Sequence, residues 1–142
     1  MSGSSGSWQL PVGLTACGVV IHGGALALFS GGAAVGPGMA TYGVSVAALW
    51  VVGIVAFFIV DYLLELGDDG LGVVALKLLA ISALAHGIAD VMPYFPVVVF
   101  VGLVWGLTAW LFDLESFEGK VFAVVMLGVA FLVNLGVGML FG

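Results

Sequence analysis

The feature that most constrains this chain is a series of apolar runs, each about as long as a helix that crosses a bilayer. A transmembrane helix needs about 20 consecutive apolar residues to span a hydrocarbon core of about 30 Å. Hydrophobic residues make up 63% of the chain and charged residues only 7%, too few to cover a water-soluble globule. The runs are continuous rather than alternating, which excludes a membrane β-barrel. The sequence therefore predicts an all-α integral membrane protein.

The runs predict a single domain over residues 8–142, a compact bundle of five transmembrane helices joined by short turns. The expected helices cover residues 8–30, 39–66, 70–92, 96–112 and 120–141. A bundle of four spans, with one run re-entrant or lying in the interface, is the alternative. The preceding residues 1–7, MSGSSGS, are typical of a flexible Gly/Ser tail or an expression tag.

The helix boundaries are predicted from clusters of Gly, Pro and acidic residues. The uncharged GGAAVGPG of residues 31–38 and the acidic GDDG of residues 67–70 are typical of turns. Pro93 and Pro96 are expected to end the third helix, because a proline pushes the residue before it out of the helical region. The acids of DLESFEG, residues 113–119, are placed to cap the fifth helix.

The charge balance bears on partners and location. The chain has two lysines, no arginine and eight acidic residues, for a formal net charge of −6. This balance argues against binding to nucleic acid, so the expected partners are the lipid bilayer and other membrane subunits or further copies of the chain. Both lysines fall on the N-terminal side of a five-helix bundle, and the positive-inside rule then predicts a cytoplasmic N-terminus in the cytoplasmic (inner) membrane.

Several polar residues share one depth in the predicted bundle. At about 1.5 Å per residue, His22, His86 and Asn134 all lie about 20 Å from the same membrane face, and Ser45 comes close to that level. Such a layer is typical of a transport path, but equally of hydrogen bonds that hold helices together.

The third helix carries the densest part of this layer. Ser82, His86 and Asp90 are spaced by four residues and so line one helix face, where Asp90 can orient or charge His86. Lys77 lies on the opposite side of the same helix. It is expected to pair with Asp61 of the second helix, since both are about 10–14 Å from the intervening turn, unless the two side chains snorkel to the interface.

Small and aromatic residues indicate which helix faces pack. Ala83/Gly87 and Gly102/Gly106 are small-xxx-small pairs, which allow helices to approach closely. A bulky rim on the second helix is expected to contact lipid or a partner: Trp50, Phe57, Phe58 and Ile59.

Three functions fit these features. The first is a structural or accessory role as a small polytopic subunit of a larger or homo-oligomeric membrane assembly. The second is a small oligomeric ion or proton channel, or a proton-coupled transporter, that uses His86 and Asp90. The third is a membrane anchor that binds haem or a chlorin through His22 and His86. No metal site and no enzymatic motif is apparent, so the sequence predicts a protein that is not an enzyme.

Overall fold

The structure, a computed structural model, describes residues 8–65 and 70–141. These residues form five α-helices and no strand: α1 Gln9–Phe29, α2 Gly32–Leu64, α3 Leu71–Ala89, α4 Pro96–Leu111 and α5 Ser116–Phe141. The predicted all-α fold is confirmed. The tail predicted for residues 1–7 and most of the turn at residues 67–70 lie outside the described residues.

Four of these five helices are long and apolar enough to span a membrane, namely α1, α2, α3 and α5. The fourth, α4, has 16 residues and is about 24 Å long, short of a hydrocarbon core of about 30 Å. The described part of the chain is therefore that of an integral membrane protein with four long helices and one short one.

The central helix is α3, which packs against α1, α2 and α4, while α5 packs against α2 and α4. Half of the most apolar window of α3 is buried, a larger share than in any of the other three long helices. The core around it contains the fully buried side chains of Leu78, Ile81, Phe122 and Met126. Short side chains at Ala80, Ala83 and Ala85 let the neighbouring helices approach α3 closely.

Two side-chain hydrogen bonds fix α2 antiparallel to α3. The Tyr42 hydroxyl donates to the carbonyl oxygen of Ala83 at 2.8 Å, and Trp50 Nε1 donates to the carbonyl oxygen of Ala75 at 2.8 Å. The two donors are eight residues apart, as are the two acceptors. Trp50 was expected to contact lipid or a partner, and that expectation is wrong for its indole N–H. A donor in lipid is costly unless a protein group accepts its hydrogen bond.

Phe57 also differs from the expectation. It is buried and packs against Phe112 and Phe122, with ring centroids 5.6 and 6.2 Å away.

The contacts of α4 show its direction relative to α3. Lys77, near the start of α3, holds its Nζ 5.1 Å from the centroid of Phe112, just beyond the end of α4. Because Phe100, near the start of α4, contacts His86 near the end of α3, α4 runs antiparallel to α3. We call the two ends of the bundle the Asp90 end, where α3 ends, and the Asp113 end, where it begins.

The connection expected over residues 31–38 is wrong, because α2 already begins at Gly32 and contains Pro37. The reversal needs only Ser30 and Gly31, and Gly31 has a φ of 79°, which glycine adopts without strain. Gly38 serves close packing instead, since a Cβ atom there would lie 2.7 Å from Cδ1 of Leu26 on α1. An early helix start also satisfies backbone groups that lipid cannot.

The other helix ends differ by a few residues. α3 stops at Ala89 rather than at residue 92, followed by the expected break before Pro93. α5 starts at Ser116 rather than at residue 120. Glu118 explains the earlier start, because its Oε2 accepts a hydrogen bond from the backbone N–H of Glu115 at 3.3 Å. This is the contact by which a glutamate in the first turn closes a capping box.

Candidate functional site

The candidate site is built on the last turn of α3 and the residue that caps it. His86 Nδ1 lies 3.9 Å from Asp90 Oδ1, four residues further along, and their side chains are 20% and 43% exposed. This distance is too long for a hydrogen bond but short enough for strong electrostatic interaction when the imidazole is protonated. The pair sits where the helix meets the Asp90 end, so Asp90 is the more accessible partner.

Phe100 of α4 packs against the imidazole of His86, with ring centroids 4.9 Å apart and planes tilted by 49°. Together with Pro96 and Val97, these side chains line a shallow, open cavity of about 200 Å³ that also touches Asp90. We call this the pair cavity. It lies at the Asp90 end, next to the start of α4.

Asp90 also lines a second cavity, of about 390 Å³, on the other side of the pair. It lies between α1 and the segment that follows α3, and we call it the α1 cavity. Its lining includes His22, Phe29 and Ser30 of the α1 segment, and Pro93. Asp90 therefore borders both cavities at this end of the bundle.

His86 reaches a third and larger space of about 530 Å³ between α2 and α5. We call it the α2–α5 groove. Its eleven lining residues are Val44, Ser45, Ala48, Leu49, Val52, His86, Phe100, Ala130, Val133, Asn134 and Val137. The structure thus brings three residues of the predicted polar layer together at one groove: Ser45, His86 and Asn134.

The groove is open along its side and closed at its inner end. Val44, Val133 and Val137 on its rim are exposed. At the inner end Gly53, the neighbour of the lining residue Val52, meets two core side chains: a Cβ atom on Gly53 would lie 3.1 Å from both Leu78 Cδ2 and Met126 Cε. Packed core side chains therefore border the inner end of the groove.

His22 lies apart from the groove. It is 7% exposed and stacks on Tyr42, with ring centroids 4.2 Å apart and planes inclined by 13°. Its Nδ1 is buried with no hydrogen-bond partner among the described residues. Of the three cavities described above, His22 lines the α1 cavity, whereas His86 lines the pair cavity and the α2–α5 groove.

A haem or chlorin between the two histidines does not fit this arrangement. A macrocycle ligated by His22 and His86 would have to pass between α1 and α3, but the backbones of these helices touch at Gly18, one turn before His22, and at Gly87, next to His86. A Cβ atom on Gly87 would lie 2.6 Å from the carbonyl oxygen of Gly18. The residues present therefore offer no slot for a tetrapyrrole between these two side chains.

The remaining predicted residues have other surroundings. Ser82 is fully buried, and its hydroxyl donates to Leu78 of its own helix at 2.9 Å, so it serves the helix backbone. Asn134 Nδ2 likewise donates to the carbonyl oxygen of Ala130 at 2.9 Å. The ion pair between Asp61 and Lys77 stays a prediction.

The two small-residue pairs behave differently. Ala83 and Gly87 form the contact with α1, whose Gly18 would place a Cβ atom 2.6 Å from backbone atoms of Ala83. Gly102 and Gly106 are exposed on α4, and a Cβ atom on either would meet nothing within 4 Å. The second pair is thus unused for packing within the described part of the chain.

Three residues of the site were missed from the sequence. Phe100 and Tyr42 are not part of any regularly spaced set of polar residues, and Gly18 is one of 23 glycines. A tyrosine within an apolar run was the one available signal, since its hydroxyl must find a partner in the bundle.

In the comparisons with known proteins, no family model matches this chain, and no curated protein or solved structure matches it either.

Proposed function

We propose that this protein is a small proton-coupled membrane carrier in which His86 and Asp90 bind and release the proton. The observation that carries the proposal is the position of the pair. Asp90 borders the two cavities at the Asp90 end, and His86 borders both the pair cavity and the α2–α5 groove. A proton that enters at Asp90 therefore needs only one further carrier, His86, to reach the groove.

The chemistry of the two groups supports this role. Histidine takes up and releases a proton near neutral pH, and ionisable groups within membrane helices are costly unless they serve a function. The more exposed Asp90 supplies the contact with water, and the less exposed His86 passes the proton inward. The closed inner end at Gly53 supports a carrier over an open channel, because a carrier must keep one side shut while its site is open to the other.

The proposal is tested by proton flux in liposomes that contain the purified protein and a pH-sensitive dye. A potassium gradient with valinomycin sets the membrane potential, and the rate of internal pH change is compared with that of protein-free liposomes. His86→Gln and Asp90→Asn are expected to lower the protein-dependent rate by about 100-fold, as for the loss of a proton-transfer group.

The matched control is Asp113→Asn, which removes a carboxylate at the opposite end of the bundle. Asp113 has a φ of 50°, which asparagine adopts more readily than most residues, so this variant is expected to fold and to keep the wild-type rate. A wild-type rate equal to that of protein-free liposomes would refute the carrier, as would an undiminished rate in folded His86→Gln.

A second candidate, an accessory subunit of a membrane assembly, is favoured by the exposed face of α4. Gly102 and Gly106 leave open space where another helix could approach closely. Under this reading Gly102→Leu and Gly106→Leu reduce the size of the particle extracted in mild detergent and leave the monomer folded. Leucine at Gly138, an exposed glycine of α5 with open space around it, is the control. A particle of unchanged size in both α4 variants would count against the assembly role of this face.

A further inference from the structure

We propose that the α2–α5 groove binds an alkylated phenol, with the phenol hydroxyl at His86 and Asn134 and the alkyl chain towards the middle of the bilayer. This names the cargo class of the proposed carrier and rests on that proposal only for the step of transport. Binding itself follows from the groove and is measured separately.

The size and lining of the groove are those of a small-molecule site. Its volume of about 530 Å³ lies within the range of about 300–1,000 Å³ that such sites occupy. Eight of its eleven lining residues are apolar, and the other three are Ser45, His86 and Asn134. A mostly apolar wall with a few polar groups binds an apolar molecule and fixes one end of it by hydrogen bonds.

The polar groups lie towards the Asp90 end of the groove, with only Val44 and Val137 of the lining beyond them. Along α2, Ser45 is on the side of the Asp90 end, and Val52 lies about 10 Å deeper. α5 runs antiparallel to α2, so its Asn134 is nearer the Asp90 end than Ala130. A bound amphiphile then has its head group nearer the membrane face than its tail, as do the lipids of that leaflet. It can enter through the open side of the groove without turning over.

The absence of a permanent charge in the lining limits the head group to a neutral one. Of the eleven residues only His86 is ionisable, and none is a lysine, arginine or carboxylate. A phosphate or carboxylate head group would lose its hydration without gaining a counter-charge, which is costly. A hydroxyl head group loses less hydration free energy and needs only one or two hydrogen-bond partners.

The hydrogen-bonding groups of His86 and Asn134 favour a ligand hydroxyl that donates a hydrogen bond. Asp90 faces Nδ1 of His86 at 3.9 Å, which favours the tautomer with its proton on Nδ1 and leaves Nε2 as an acceptor. Asn134 uses one N–H for Ala130, and its second N–H can donate to the same ligand oxygen. Phe100 lines the groove next to His86 and gives an aromatic head group a ring to pack on.

The test measures binding of 4-octylphenol to the full chain in mild detergent by native mass spectrometry, with octylbenzene as the matched ligand that lacks the hydroxyl. We expect one copy of 4-octylphenol per chain, bound about tenfold more tightly than octylbenzene, which leaves the polar groups of the site unpaired. Asn134→Leu is expected to remove most of that difference. Equal binding of the two ligands to the wild type would overturn the proposal.

Two further variants locate the site. Ala48→Phe fills the groove and is expected to abolish binding, whereas Ala47→Phe, at an exposed neighbour that is not part of the lining, keeps it. Binding that survives in folded Ala48→Phe would overturn the proposal. If Ala48→Phe does not fold, the proposal is tested by Asn134→Leu, in which an undiminished preference for 4-octylphenol would overturn it. Binding with this pattern but no proton flux in liposomes would refute only the carrier. Flux without binding would refute only this inference.

Discussion

Gly18 of α1 and Gly87 of α3 bring the backbones of the two helices into direct contact, since a Cβ atom on Gly87 would lie 2.6 Å from the carbonyl oxygen of Gly18. The contact holds α1 against the central helix at a place where neither helix has a large side chain. His22, one turn further along α1, lines the α1 cavity, whereas His86 lines the pair cavity and the α2–α5 groove. One pair of glycines thus determines how closely α1 packs on α3.

Replacing Gly18 by alanine should destabilise the protein, although alanine is the better helix former. The new Cβ atom would lie 2.6 Å from Ala83 backbone atoms, and the backbone cannot yield as a flexible side chain can. We expect a loss of about 1–3 kcal/mol in the free energy of unfolding, as for an overpacked core. The measurement is unfolding in mild detergent by added SDS. Gly24→Ala, on the same helix with nothing within 4 Å, is the control, and is expected to be neutral or stabilising.

The same contact predicts that the protein does not bind haem between His22 and His86. Haemin added to the purified protein should give no Soret band typical of two histidine ligands, because α1 and α3 leave no slot for the ring. An absorbance titration checks this, with His22→Ala and His86→Ala as controls for non-specific haemin. A bis-histidine spectrum that both substitutions remove would contradict the packing of α1 on α3.

Tyr42→Phe should weaken the attachment of α2 to α3. The substitution removes the hydroxyl that donates to Ala83 at 2.8 Å and keeps the ring that stacks on His22. Single hydrogen bonds between membrane helices contribute about 0.6 kcal/mol on average, up to about 1.7, and we expect a loss in that range by SDS unfolding. Tyr62→Phe, at a side chain that is 88% exposed, should change nothing. Equal losses in the two variants would show that the Tyr42 hydroxyl holds no helices together.

The fold class could be predicted from the sequence because the length of an apolar run is a local property. The connection at residues 31–38 could not, because glycine is used both where a chain turns and where two helices approach closely. Gly31 turns the chain, with a φ of 79°, while Gly38 lies against Leu26. Composition alone does not distinguish these two uses.

The candidate site divides in the same way. The spacing of His86 and Asp90 is local to one helix, so their proximity could be read from the sequence. Depth along a helix placed Ser45 and Asn134 near the level of His86, and they line one groove with it. His22 has a similar depth but lines another cavity, because depth does not fix the rotation of a helix about its own axis. That rotation is set by packing, which here depends on Gly18.

Glu118→Ala should destabilise the start of α5. It removes the carboxylate that accepts a hydrogen bond from the backbone N–H of Glu115 and that interacts favourably with the helix dipole. We expect a loss of about 0.5–1 kcal/mol, measured by SDS unfolding, that shrinks at high salt. Glu115→Ala keeps the backbone donor and removes a nearby carboxylate, and should cost less. A larger loss in Glu115→Ala would assign the stabilisation to charge rather than to the cap.

Met126→Ala should open the inner end of the α2–α5 groove. The Met126 side chain is fully buried and lies against Gly53 next to the end of the groove, so its removal leaves a cavity that extends the groove towards the Asp113 end. We expect a loss of about 2–5 kcal/mol in stability. In a carrier, it should also add a proton leak to the wild-type rate in the same liposomes, because the closed side then admits water.

The leak is measured with the same internal dye, after size exclusion has shown that the variant is folded. Met139→Ala, near the end of α5 and 79% exposed, controls for the loss of a methionine, and Met126→Leu restores most of the volume and should restore the seal. A leak that rises equally in Met126→Leu and Met126→Ala would mean that loosened packing, rather than an opened groove, admits the proton. A folded Met126→Ala with a wild-type leak would show that the barrier lies elsewhere along the bundle.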